Sequence, residues 1–283
     1  MNLPNTTQIK QLIDQALAED LGWGDITTDI LVPETQQGKA SIIAKARGII
    51  AGTEIAREVF LKVDPKLKME ILTRDGTIIK PGDVIARIEG KNSSMLKAER
   101  IALNFLQHLS GIASETARYV EAVKGLPVKI TDTRKTTPGL RALEKYAVQS
   151  GGGKNHRMHL GDGILIKDNH LATLHSQGLG IKEIVARARQ KASPKLKIEV
   201  EVKNQKEATE AAEAGADIIM LDNMDIEDMR QTVKLIKGRV LIEASGGINL
   251  ERVRAVAETG VDLISIGALT HSAKALDISL ELD

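Results

Sequence analysis

The sequence predicts an α/β protein in which a parallel barrel of strands and helices follows a smaller, mixed N-terminal domain. Short aliphatic strands alternate with helical segments from residue 128 to residue 267, a rhythm typical of right-handed crossovers and a parallel sheet. Aromatic residues make up only 2% of the chain, so the core must be aliphatic, as in parallel sheets covered by helices. The length of 283 residues suits one large barrel or two domains.

The N-terminal part begins with a predicted helix over residues 6–20, in which Ile9, Ile13 and Leu17 share one face. Strands are predicted within 39–52, 68–73 and 77–90, around a helix at 53–63, and turn signals between them indicate a small antiparallel sheet.

A long helical stretch follows from Ser93 to about Val123, with Gly111 as a candidate bend or break. We place the domain boundary near residue 110, which gives domains of 1–110 and 111–270. The apolar segment 271–283 is predicted to return to the first domain.

The barrel part contains six predicted strands, at 128–131, 164–167, 197–203, 217–222, 240–245 and 262–267. Predicted helices lie at 138–149, 180–192, 205–214, 226–237 and 249–258. Gly215, Gly238 and Gly260 each precede a strand where a helix should end, a position that favours glycine. A closed TIM barrel has eight strands, so an incomplete or seven-stranded barrel fits as well as a full one.

The composition excludes several classes of protein. The chain has no cysteine, which removes disulfides, thiolate catalysis and cysteine zinc sites. No apolar signal-peptide core is visible near the N-terminus, and no run approaches the roughly 20 apolar residues of a membrane span. We expect a soluble, cytoplasmic protein.

Residues 132–170 concentrate positive charge in a chain of net charge +1. The cationic and imidazole side chains of this segment are Arg134, Lys135, Arg141, Lys145, Lys154, His156, Arg157, His159, Lys167 and His170. A solvated surface or a nucleic-acid patch would also be basic, but few aromatic residues are available for stacking on bases. A compact anion with several carboxylates or phosphates fits better, since arginine binds carboxylates bidentately.

Other polar residues stand at the carboxyl ends of the predicted strands, where α/β barrels hold their active sites. The two-residue period turns Glu199 and Glu201 to the same face of their strand. Glu201 and Asp222 are hard-oxygen donors suited to magnesium, although a salt-bridge network with Lys197 and Lys203 is an alternative. Lys167 could instead form a Schiff base if it were desolvated.

The segment Ser245-Gly246-Gly247 precedes a predicted helix, and its backbone amides could bind a phosphate together with the turn at Gly267. The alternative is a plain tight turn.

The sequence closely resembles the quinolinate phosphoribosyltransferases over almost its whole length. The matching motifs are EDLGWGDITTD (19–29), AERIALNFLQHLSGIAS (98–114), TDTRKTTPGLRALEKYAVQSGGGKNHR (131–157), LIKDNH (165–170), EVEV (199–202), AGADIIMLDN (214–223), EASGGI (243–248) and DLISIGALTHSA (262–273). This resemblance implies an N-terminal α/β sandwich-like domain, an open seven-stranded α/β barrel and a homodimer with shared active sites. It also implies phosphoribosyl transfer from phosphoribosyl pyrophosphate (PRPP) to quinolinate with decarboxylation, in NAD biosynthesis and with magnesium.

The resemblance also assigns roles to individual residues. Arg134, His156, Arg157 and Lys167 match the quinolinate pocket, and Arg100 matches the arginine that reaches the neighbouring subunit's site. Lys135 matches a lysine near the pyrophosphate, and Glu201 and Asp222 match the acids at the ribose and the metal. The 5-phosphate side is matched by Ser245, Gly246, Gly247, Gly267 and His271. The implied catalytic set is Lys135, Lys167, Glu201 and Asp222.

Two other functions are compatible with the same residues. One is a related transferase acting on nicotinate or another small acid, and the other is a non-catalytic protein that binds small anions.

Overall fold

A computed structural model describes residues 6–283. The chain forms two compact units that are not continuous in sequence. The first unit contains the chain up to Ala117 together with Thr136–Gly152 and Leu269–Asp283, and the second contains Arg118–Lys135 and Gly153–Ala268. The predicted boundary near residue 110 falls inside a single long helix.

The first part of the chain contains, in order, α1 (Thr6–Leu21), α2 (Ile26–Leu31), β1 (Gln37–Ala44), β2 (Gly48–Ile49), α3 (Thr53–Val63), β3 (Lys68–Ile71), β4 (Ile78–Ile79), β5 (Val84–Lys91) and α4 (Asn92–Ala122). The remainder contains β6 (Lys129–Thr131), α5 (Arg141–Ser150), β7 (Ile164–Ile166), α6 (Asp168–His175), α7 (Ile181–Lys191), β8 (Ile198–Val202), α8 (Gln205–Glu213), β9 (Ile218–Asp222), α9 (Ile226–Ile236), β10 (Leu241–Ser245), α10 (Val253–Ala257), β11 (Leu263–Ser265), α11 (Ala268–His271) and β12 (Ile278–Leu282).

The first unit is built on a four-stranded antiparallel sheet in the order β12-β1-β5-β3. The last strand of the chain therefore pairs with the first, with Ala44 opposite Ile278. Gly111 neither ends nor interrupts α4. A Cβ atom at this position would lie 2.1 Å from the carbonyl oxygen of Lys274, so the glycine allows the segment leading to β12 to pass against the helix.

The second unit contains a six-stranded parallel sheet in the order β6-β11-β10-β9-β8-β7. A single parallel bridge between Thr131 and Lys154 adds one short segment beside β6. All five residues of β8 are buried, as expected for a strand covered on both faces. The sheet and its helices confirm the predicted α/β class with an open parallel arrangement.

Glycine follows three helices of this unit, α8, α9 and α10, as predicted. Gly215, Gly238 and Gly260 have φ values of +85°, +82° and +95°, a left-handed conformation that side chains disfavour. Two helices differ from the prediction. The helix predicted over 249–258 is shorter: α10 spans only Val253–Ala257, after a turn in which the Asn249 side chain accepts a hydrogen bond from the Arg252 amide (3.0 Å). The helix α6 was not predicted.

Within residues 6–283, no helix combines the length and apolar character needed to cross a membrane.

Candidate active site

The carboxyl ends of the parallel strands place most of the predicted site residues at one edge of the second unit. Asp222 ends β9 directly opposite Ser245 at the end of β10. Lys167 follows β7, Glu201 lies near the end of β8, and Gly267 follows β11. Because parallel strands share one carboxyl edge, these residues occupy the position at which α/β proteins bind ligands.

Two arginines form the cationic side of this edge. Burial lowers the pKa of the Arg157 guanidinium, and the positive charge of Arg134 lowers it further. Arg157 Nη1 donates to the Gly163 carbonyl at 3.1 Å, which anchors one end of its guanidinium. The Nε atom of Arg134 is buried and has no hydrogen-bond acceptor among the described residues. A buried donor of this kind is costly unless a ligand satisfies it, so the pair is suited to an anion.

The acidic side is formed by Glu201 and Asp222. Burial raises the pKa of Glu201, the negative charge of Asp222 raises it further, and the positive charge of Lys167 lowers it. Their charges therefore act on one another across neighbouring strands. Two hard-oxygen donors that repel each other fit a magnesium ion, because a divalent cation offsets that repulsion.

The alternative salt-bridge network does not form. Lys203 pairs with Asp168 at 3.2 Å, whereas Glu199 accepts from His156 at 3.0 Å. Among residues 6–283, no ion pair joins Glu199 or Glu201 to Lys197 or Lys203. The Schiff-base alternative required a desolvated lysine, and Lys167 is exposed.

The glycine loop after β10 has a left-handed backbone conformation that residues with a Cβ atom disfavour. Gly246 and Gly247 have φ values of +91° and +58°. A Cβ atom on Gly246 would lie 2.4 Å from the Asn223 side chain. The loop keeps its amides available, but the helix expected to begin beside it starts later, at Val253. Any phosphate here would therefore be bound by loop amides rather than by a helix N-terminus.

The remaining predicted residues divide between the two units. Lys135 is exposed in the second unit, and its backbone amide donates to Thr133 Oγ1 at 3.0 Å. Arg100 is exposed on α4, and His271 ends α11, where its Nδ1 lies 2.7 Å from Ser272 Oγ. Arg100 and His271 both belong to the first unit.

Glu243 and Asp132 are buried at this site, and the sequence analysis assigned neither of them a role. His156 Nε2 contacts Glu199 and also lies 3.5 Å from Glu243 Oε2, and Glu243 has no exposed surface. Asp132, also buried, accepts from the His156 amide at 2.9 Å. The signal for Glu243 was a single charge in the otherwise apolar strand segment VLIEA.

Cationic and acidic groups gathered at the carboxyl edge of a parallel α/β sheet define an enzyme site for anionic substrates. Comparison with known proteins identifies the family. The family model described as the N-terminal domain of quinolinate phosphoribosyl transferase matches residues 25–110, and that of the C-terminal domain matches residues 112–281. The chain belongs to the quinolinate phosphoribosyltransferase family.

Individual relatives agree with this assignment. The chain is 45% identical to the probable nicotinate-nucleotide pyrophosphorylase (carboxylating) of Bacillus subtilis, over 98% of this chain and 94% of the relative. It is 40% identical to the mitochondrial quinolinate phosphoribosyltransferase (decarboxylating) 2 of Nicotiana glauca, over 98% of this chain and 83% of the relative. The crystal structure of NadC from Streptococcus pyogenes matches with a TM-score of 0.95 and 43% identity, covering 100% of this chain and 99% of that one.

Proposed function

We propose that the protein transfers the phosphoribosyl group of PRPP to the ring nitrogen of quinolinate. Carbon dioxide and pyrophosphate leave, and nicotinate mononucleotide is formed for NAD biosynthesis. The observation that carries the proposal is the buried Nε of Arg134, which lacks an acceptor beside a second arginine, Arg157. The names of the relatives from Bacillus subtilis and Nicotiana glauca support it.

Quinolinate carries two carboxylates on adjacent ring carbons, which repel each other. Arg134 and Arg157 repel each other in the same way, because the charge of Arg134 lowers the pKa of Arg157. Binding the dianion against this pair would relieve both repulsions and give the Arg134 donor an acceptor. Lys167 supplies a third positive charge, and His156 completes the pocket that the family resemblance implies.

At the other end of the reaction, breaking the bond from C1 of the ribose to pyrophosphate creates two opposite charges. Glu201 would stabilise the positive charge that develops on the ribose, and Lys135 would offset the negative charge of the leaving group. Ser245, Gly246, Gly247, Gly267 and His271 would hold the 5-phosphate. Glu201 and Asp222 would hold magnesium, which when bound supplies positive charge to the pyrophosphate.

The decarboxylation needs no separate general base. Transfer makes the ring nitrogen a pyridinium cation, and the carboxylate on the neighbouring carbon leaves as carbon dioxide. The electron pair of the broken bond stays on the ring carbon, stabilised by the adjacent cation, until a proton from solvent bonds to it and takes the place of the carboxylate.

The direct test is an assay of the purified protein with quinolinate, PRPP and magnesium. We expect equal amounts of pyrophosphate, carbon dioxide and nicotinate mononucleotide, with activity lost on adding EDTA and restored by excess magnesium. Nicotinate in place of quinolinate is the matched control, and it should give no product. Turnover of nicotinate without carbon dioxide would favour the related transferase. Binding of quinolinate with no pyrophosphate release would favour the non-catalytic protein.

We also propose that the protein works as a homodimer, with Arg100 of each subunit reaching the other subunit's site. Trp23 is fully exposed, and Ile26, Ile30 and Leu31 of α2 are each at least 70% exposed. Ile26 and Ile30 lie one turn apart on the same side of the helix. A cluster of large exposed apolar side chains is typical of a protein interface, and a second copy of this chain would cover it. The cytoplasmic location stays a prediction.

Subunit complementation tests the shared site. Arg100→Ala and Arg134→Ala proteins should each be inactive, since each lacks a substrate-binding arginine in every site. Mixing and reassociating them in equal amounts should restore about a quarter of wild-type activity, because half of the dimers are hybrids with one intact site. No recovery, with hybrid dimers verified by native mass spectrometry, would contradict an Arg100 that reaches across the interface.

A further inference from the structure

The His156 ring lies beside the buried carboxylates of Glu199 and Glu243, which have no part in the proposed chemistry. Its Nε2 atom is 3.0 Å from Glu199 Oε2 and 3.5 Å from Glu243 Oε2. Glu199 is 4% exposed and Glu243 is completely buried. They belong to strands β8 and β10, on either side of β9. Burying two carboxylates beside one imidazole costs desolvation free energy, so the arrangement calls for a structural or functional explanation.

The hydrogen bonds identify which imidazole nitrogen carries the proton. The backbone amide of Arg157 donates to His156 Nδ1 at 2.9 Å, so Nδ1 must present its lone pair. The ring proton of the neutral imidazole is then on Nε2, where it is donated to Glu199. Glu243 Oε2 lies 3.5 Å from the same nitrogen, but neither Glu243 oxygen accepts a hydrogen bond among the described residues.

The same assignment argues against a metal ion at this place. His156, Glu199 and Glu243 each offer a donor atom, and these atoms lie within 4.8 Å of one another. A metal would need the lone pair of Nε2, yet a neutral imidazole that accepts a hydrogen bond at Nδ1 carries its proton on Nε2. The contacts therefore describe a hydrogen-bond chain rather than a coordination site.

The hydrogen-bond chain connects the buried Glu199 to Arg157, one of the two arginines of the proposed substrate pocket. Glu199 orients the His156 ring, and the ring accepts from the Arg157 amide. The His156 amide in turn donates to Asp132 Oδ1 at 2.9 Å. The backbone that carries Arg157 is thus held at two successive amides. This restraint matters because the positive charge of Arg134 opposes that of Arg157, and an arginine held loosely would move away from it.

We propose that Glu199, acting through His156, is a positioning residue that holds Arg157 ready for the dicarboxylate substrate. The inference rests on the proposed function and assigns a role to Glu199, a buried carboxylate outside the implied catalytic and binding set. Holding a binding group in its final geometry before the substrate arrives lowers the entropic cost of binding. The effect should therefore appear in the binding of quinolinate and not in that of PRPP.

Two substitutions at Glu199 separate positioning from a general structural role. Glu199→Leu removes the acceptor and should raise KM for quinolinate about tenfold while changing KM for PRPP less than about twofold. Glu199→Gln keeps a carbonyl oxygen that can accept a hydrogen bond from Nε2–H, so its KM for quinolinate should stay near the wild-type value. Glu213→Leu, which removes an exposed carboxylate from α8, is the matched control.

An unchanged KM for quinolinate in Glu199→Leu would overturn the inference. So would an equal rise of both KM values that Glu199→Gln fails to correct. If the wild-type protein itself shows no activity with quinolinate and PRPP, the proposed function fails, and the tautomer of His156 then decides the inference separately.

The tautomer can be measured in the wild-type protein without relying on a variant that folds poorly. Long-range ¹⁵N–¹H correlation spectra of histidine-labelled protein report which ring nitrogen is protonated, and the spectrum of His156→Phe identifies the signals of His156. We expect a neutral ring with its proton on Nε2. A proton on Nδ1 would overturn the inference.

Discussion

Replacing Arg134 with alanine should lower kcat/KM for quinolinate by about 10²–10³-fold, since removing one partner of a desolvated charge pair typically costs 2–5 kcal/mol. Arg134 has a buried Nε without an acceptor, so it can give a substrate carboxylate a hydrogen bond that competes with no protein group. Lys167→Ala should have an effect of similar size, because it removes the third cation beside Glu201. Steady-state measurements of pyrophosphate release at varied quinolinate concentrations would establish both values.

The control for these variants is Lys154→Ala, which removes an exposed cation from the same basic segment and should leave kcat/KM unchanged. The thermal midpoint of Arg134→Ala should not fall, because the substitution also removes the repulsion that Arg157 experiences. Full activity in both Arg134→Ala and Lys167→Ala would refute the quinolinate pocket.

The free energy of unfolding of Glu243→Gln, measured relative to that of the wild-type protein, should increase as the pH rises from about 4.5 to about 7. Burial raises the pKa of Glu243 from 4.5 to about 7, and the charge of Glu199 contributes to the increase. Between these values the folded protein keeps a proton that the unfolded chain releases, so the wild-type free energy of unfolding falls as the pH rises. The loss of unfolding free energy is complete only well above pH 7, where it amounts to about 3 kcal/mol.

Urea denaturation followed by circular dichroism at several pH values measures this effect. The test is how the difference in unfolding free energy between Glu243→Gln and wild type changes with pH. Any effect of the amide itself is the same at every pH. Glu213→Gln, at an exposed position on α8, should show no comparable trend. A difference for Glu243→Gln that stays constant from pH 4.5 to 8 would show that Glu243 ionises as readily in the folded protein as in the unfolded chain.

The sequence predicted the strands of the second unit well because each is a short aliphatic run between turn signals. The strand predicted at 240–245 is Leu241–Ser245, and the one predicted at 217–222 is Ile218–Asp222. The helices α2 and α6 were missed because each is a single short element rich in polar residues, with little apolar periodicity. The order of the strands and the position of residues 136–152 in the first unit depend on tertiary packing, which no local pattern encodes.

The candidate site shows the same division. Charge and strand-end position predicted a site that contains Arg134, Glu201 and Asp222, because the residues at the carboxyl edge of a parallel sheet can be identified from sequence. Their roles stay predictions. The hydrogen bonds of His156 could not be predicted in this way. They depend on Glu199, and His156 also lies beside Glu243. The two carboxylates are 44 residues apart in sequence and meet only when strands β8 and β10 occupy the same sheet.

The pairing of β12 with β1 also constrains the order of events during synthesis. The sheet of the first unit lacks an edge strand until residues 278–282 have left the ribosome. All residues of the second unit precede Leu269, so the parallel sheet can form while the N-terminal sheet is still incomplete. Closing a loop of more than 230 residues between β1 and β12 is entropically costly and slow. The N-terminal sheet, most of whose strands precede the parallel sheet in the chain, can therefore be completed only after the parallel sheet has been made.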